Sequence, residues 1–155
     1  MNNVTLTANA SSSSYTVTLN KGTGIASVTK PSVAGTQVGD TAWMVYYGQT
    51  VTLSAIASTG YTFSGWTVNA GGVTVSNNSF TMPNNAVTLT ANATINQYSL
   101  KVYAYHNSAA DVSAFANAAT GGTVKIGNGT AGASATSSVN YGSTTTITAY
   151  AVTGY

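Results

Sequence analysis

Apolar and polar residues alternate with a period of two along most of this chain. Tyr15, Val17 and Leu19 take turns with Thr16, Thr18 and Asn20, and Val51, Leu53 and Ala55 with Thr52 and Ser54. Successive side chains of a strand point to opposite faces, so each run predicts a strand with one buried and one wet face. In GYTFSGWTV (residues 60–68), Tyr61 and Phe63 share one parity while Trp66 and Val68 share the other. The strand must change face between them, and a bulge at Gly65 would do it. TMPNNAV (81–87) sets Pro83 and two asparagines between apolar runs. That reads as a turn, because proline presets φ and asparagine tolerates left-handed backbone. One segment keeps a helical period instead. In HNSAADVSAFANAATGG (106–122), Val112, Phe115 and Ala119 fall on one helical face. Ser108 and Asp111 stand at capping positions, and two glycines close the run. The pattern predicts an all-β chain with one short helix near residues 109–119.

The strand pattern also repeats. VTLTANA at residues 4–10 returns at 87–93, and Tyr15, opening YTVTLN, returns as Tyr98, opening YSLKVYAY, both at an offset of 83. YYGQTVTLSAIASTGY (46–61) returns as NYGSTTTITAYAVTGY (140–155) at an offset of 94. The eleven extra residues of the second copy fall in the helical segment, an insert at 106–120. The predicted organisation is a slice of a tandem array. Residues 1–10 read as the last strand of a preceding repeat, 15–94 as a complete module, and 98–155 as a second module, truncated and carrying the insert. In that first strand Val4, Leu6 and Ala8 form the apolar row. It is expected to pair with a neighbouring copy or another chain, and to fray if it does neither.

Composition removes most chemistry from consideration. The 155 residues include four lysines and two aspartates as the charged residues, one histidine, and no Arg, Glu or Cys. With 43% hydrophobic residues the chain has enough apolar surface to fold. Four scattered lysines without arginine make no nucleic-acid patch. No run of residues is long and apolar enough to span a bilayer. His106, Ser108 and Asp111 lie close in sequence, but at a helix start, where capping explains them. Asp40 and Asp111 sit in different modules and form no acid/base pair. No catalytic residue, metal site or cofactor is expected, and the chain reads as a non-enzyme. KGTG (21–24) and GNGTAG (127–132) lack the spacing and following helix of phosphate loops and read as turns. Leu53, Tyr61, Phe63, Trp66 and Leu89 are expected in the module's core. Trp43, Tyr46 and Tyr47, in AWMVYYG beside a polar loop, are the candidate ligand or interface aromatics, since such rings stack on sugars and anchor protein contacts, although packing in the core or between modules accounts for them more simply.

YGQTVTLSAIASTGYTFSGWTV followed by FTMPNNAVTLTA resembles the divergent internalin-type B-repeat family of bacterial surface proteins, over nearly the whole chain. The resemblance implies small, mainly β modules related to β-grasp folds, strung in tandem on secreted or wall-attached proteins. It favours an extracellular structural repeat module, a stalk or adhesin spacer whose partners are neighbouring modules. Two alternatives stay open. The chain could be a filament subunit assembling head to tail with identical chains by strand donation, or an adhesin module binding host or matrix glycans or proteins.

Overall fold

The computed structural model describes residues 7–8, 11–33, 35–104 and 122–151. Among them every regular element is a strand, so the fold is all-β, as the alternation predicts. The helix expected at 109–119, and the insert around it, lie outside the described residues. The chain divides into two compact units, Met1–Thr94 and Ile95–Tyr155.

Unit one is built on a five-stranded sheet. Its order is β3 (Gln37–Gly39), β4 (Ala42–Tyr46), β1 (Ser14–Lys21), β9 (Val87–Ile95) and β7 (Tyr61–Ala70). β1 runs antiparallel to β4 and parallel to β9. A parallel neighbour cannot be reached by a tight turn, so everything between β1 and β9 serves as the crossover. Two short antiparallel pairs lie in that crossover, β2 (Ile25–Thr29) with β6 (Ser54–Ala57) and β5 (Thr50–Thr52) with β8 (Ser79–Thr81).

Register explains why this sheet forms. Val17 lies opposite Trp43 on one side and Val87 on the other, and Leu19 lies opposite Leu89. The apolar rows of three strands therefore coincide on one face. A one-residue slip would turn every one of them to solvent. Val17, Leu19, Val87, Leu89 and Ala91 are all at 0% exposure. Val51 opposite Phe80, with Leu53 and Met82, completes the core on the β5–β8 side.

The other face of the sheet is polar and is cross-linked by side chains. The Thr90 hydroxyl donates to Asn69 Oδ1 at 2.7 Å, and Asn92 Nδ2 donates to Thr67 Oγ1 at 2.9 Å. These bonds join β9 to β7. Along β7 the alternation of half-buried and exposed positions breaks where Gly65 and Trp66 follow one another. Gly65 has φ of 127°, a conformation that L side chains rarely adopt, so the change of face sits where the sequence placed it.

Unit two repeats part of this plan with the same register. β10 (Gln97–Tyr103) pairs with β12 (Ser134–Asn140), and β11 (Gly122–Ile126) with β13 (Ile147–Ala151). Tyr98 lies opposite Val139 and Leu100 opposite Ser137, as Tyr15 lies opposite Val45 and Val17 opposite Trp43. Ala149 lies opposite Val124 as Ala55 lies opposite Val28. The shifts of 83 and 94 residues seen in the sequence map the β1–β4 pair onto β10–β12, while β2 matches β11 at a shift of 96. Gly48 and Gly142, related by the second shift, both have positive φ.

Candidate functional site

The period of two, applied to AWMVYYG, separates its aromatics. Trp43 and Val45 point inward on β4, at 4% and 1% exposure, while Tyr46 and Tyr47 are 50% and 64% exposed. Trp43 belongs to the core, opposite Val17. Of the three candidate aromatics, Trp43 therefore takes the core alternative, and only Tyr46 and Tyr47 are placed where a ligand or partner could reach them. Two tyrosines remain at the surface, next to the turn in which Gly48 N–H donates to the Met82 carbonyl at 2.9 Å. In unit two the position of Tyr47 is held by Tyr141, which is also exposed.

The expected core residues fall into two groups. Leu53 and Leu89 are buried. Trp66 packs partly buried against the core, and its indole stands edge-on to Phe63, centroids 5.8 Å apart. Tyr61 and Phe63 are half-buried, on the part of β7 before the change of face at Gly65. Tyr61 covers Gly24, where a Cβ would run into its ring. Phe80 and Met82, absent from the expected core, belong to it. Their alternation with Thr81 was the available signal, hidden by the proline turn that follows.

Charged side chains do little among the described residues. Lys101 Nζ lies 4.9 Å from the Tyr103 ring centroid and Lys125 Nζ 5.7 Å from that of Tyr150, so both ammonium groups rest on aromatic faces. Asp40 follows the short edge strand β3, where Gln37 Nε2 donates to the Gly39 carbonyl at 2.9 Å. No group of three or more His, Cys, Asp or Glu side chains that could hold a metal ion occurs among the described residues. His106, Ser108 and Asp111 lie outside them. In unit two a cleft of about 420 Å³ is lined by Tyr103, Ala104, Val124, Ala149 and Tyr150. Among the described residues no helix is long and apolar enough to cross a membrane.

Of the segment carrying Val4, Leu6 and Ala8, the structure describes Thr7 and Ala8, which are exposed and belong to no strand. The rest of it lies outside the described residues.

A parallel β1–β9 pair at the centre of the sheet, a positive-φ glycine at the change of face inside β7 and a second copy of the leading strand pairs together define a small β repeat module. The chain belongs to the divergent InlB B-repeat domain family, which matches residues 15–97, nearly the whole of unit one and the start of unit two. The family is one of repeat modules in bacterial surface proteins. No curated protein and no solved structure matches the chain.

Proposed function

We propose that this chain is a non-enzymatic spacer, a structural stretch of a long extracellular protein on a bacterial surface, whose first partners are neighbouring copies of the same module. The observation that carries the reading is the tandem repetition of one strand pair in identical register, Tyr15 opposite Val45 and Tyr98 opposite Val139. Linear arrays gain length by adding such units, and each unit needs a core rather than a reactive site. The near-absence of acids, and of any histidine beyond His106, supports the same reading, because general acid/base and metal chemistry have almost no groups to use. Antibody raised against the purified chain should label intact cells of the producing bacterium. Labelling that appears only after the cells are permeabilised would overturn the reading.

A second reading has its own observation. Tyr47 and Tyr141 are exposed at the same position of the repeat, 64% and 45%, each beside a positive-φ glycine. Exposed rings recurring at one module position suit an adhesin that stacks on sugars or anchors a protein partner. The double variant Tyr47→Ala/Tyr141→Ala should then lose at least ten-fold in affinity for a matrix glycan or protein that the native chain retains on an array. An array without hits, or a variant that binds unchanged, removes this reading.

A further inference from the structure

The turn that leads into β8 is fixed by its own backbone. In Ser76-Asn77-Asn78-Ser79 the two serine amides each donate to the other's carbonyl at 2.9 Å. Asn77 and Asn78 have φ of 49° and 55°. Two successive positive values are what a type I′ turn requires, and asparagine is one of the few side chains that accept them readily. The Leu53 N–H donates to the Asn78 carbonyl at 2.8 Å, which ties the turn to the strands β5 and β6. Asn78 is therefore held on a rigid support.

This turn and β7 border a cleft of about 120 Å³, lined by Leu53, Ser54, Ala55, Phe63, Trp66 and Asn78. The lining divides by chemistry. Leu53 is buried, and Ala55, Phe63 and Trp66 are half-buried, while the exposed Ser54 and Asn78 bring a hydroxyl and an amide to the rim. None of the six is charged. The Trp66 indole, edge-on to Phe63, has its Nε1 buried with no acceptor among the described residues. A buried donor left unpaired costs stability, and such groups in folded proteins ordinarily find a partner.

We infer that this cleft binds the acetamido group of an N-acetylated sugar. Size sets the first limit. An apolar cavity of about 150 Å³ takes up benzene, so the smaller cleft accommodates a group of about four or five non-hydrogen atoms. An acetamido group is of that size and is neutral, as an uncharged lining demands. Its carbonyl oxygen accepts from the Trp66 indole N–H, and its methyl packs against Leu53 and Phe63. The sugar ring stays at the rim, where its hydroxyls meet Ser54 and Asn78. An acetylated lysine would instead lay methylenes against those two polar groups, so the rim favours the sugar. Because Nε1 is covered in this structure, binding turns the half-buried indole toward the cleft. The spacer function above does not depend on the site, and Tyr47 and Tyr141 take no part in it.

The chain has two tryptophans, so the nitrogen-labelled full chain gives two indole N–H resonances to follow. Titration with N-acetylglucosamine should move the Trp66 resonance and saturate in the millimolar range, since so small a buried group supplies little affinity. Glucose, which lacks the acetamido group, should leave it in place, and Nε-acetyl-lysine should bind at least five-fold more weakly. No movement with N-acetylglucosamine, an equal response to glucose, or acetyl-lysine binding as tightly as the sugar each overturns the proposal. Trp66→Phe keeps a ring and removes the donor, and should weaken binding at least ten-fold. That change also touches packing, so Asn78→Gly serves as the second variant. Glycine keeps the left-handed turn and removes only the amide, and affinity should fall at least three-fold. An Asn78→Gly chain with native affinity refutes the assignment. The double variant Tyr47→Ala/Tyr141→Ala should bind N-acetylglucosamine unchanged, and loss of binding there would put the sugar at the tyrosines and overturn the cleft.

Discussion

Leu53 and Ile147 occupy one position of the repeat, yet Leu53 is 3% exposed and Ile147 52%. The chemistry of the two side chains is almost the same, so the difference lies in what surrounds them. Leu53 sits between β5 and β6 with its amide bonded to the Asn78 carbonyl at 2.8 Å, under Phe80 and Met82. Leu53→Ala should therefore cost unit one about 2–5 kcal/mol, read as a lowered urea midpoint of tryptophan fluorescence, since Trp43 and Trp66 both report on that unit. Ile147→Ala should change the stability of unit two by less than about 0.5 kcal/mol, measured by amide exchange of β11 and β13. A glycine pair makes a similar contrast. Gly24 has φ of 77° and the Tyr61 ring where a Cβ would go, while Gly48 has φ of 79° and open space. Gly48→Ala carries only the backbone strain, about 1 kcal/mol. Gly24→Ala adds a displaced aromatic ring, and its loss, taken from the same urea curves, should be at least twice as large.

β9 is the element on which unit one depends, because it is paired on both edges and its inward row is fully buried. Proline inside such a strand removes a ladder donor and meets a backbone with no room to bend. Thr88→Pro should abolish the cooperative unfolding transition of unit one, whereas Val38→Pro, on the exposed edge strand β3, should leave it in place. The strands themselves were legible from the sequence, since alternation in YTVTLN, QTVTLSA and AVTLTANA survives in the burial of β1, β5, β6 and β9. The face change at Gly65 was legible for the same reason, as a switch of parity. For Trp43 the sequence left core packing and a ligand or interface role open, and its parity with Val45 agrees with the core position it takes. What alternation does not encode is which edges find partners. Leu100 and Ile147 are as apolar as Val17 and Leu53, and they are left less buried because burial of a strand's face is decided by strands far away in sequence.

At the scale of the molecule, the family match over residues 15–97 and the core coincide. Every member of the buried cluster, from Val17 to Leu89, lies in unit one. That unit has what an independent module needs, namely a continuous apolar row across β4, β1 and β9 and a second layer from β5 and β8. A fragment of residues 11–97 should consequently fold on its own, with blue-shifted tryptophan emission and a single sigmoidal urea transition. A fragment of residues 11–86 contains both tryptophans and all of β1 to β8, and it lacks only β9. Without Val87, Leu89 and Ala91 it leaves Val17 and Leu19 uncovered. Three fully buried side chains at about 1–3 kcal/mol each are comparable with the whole stability of a domain this size. The shorter fragment should show red-shifted emission and no transition. A shorter fragment that unfolds as cooperatively as the longer one would mean that the parallel β1–β9 pair does not hold the module together.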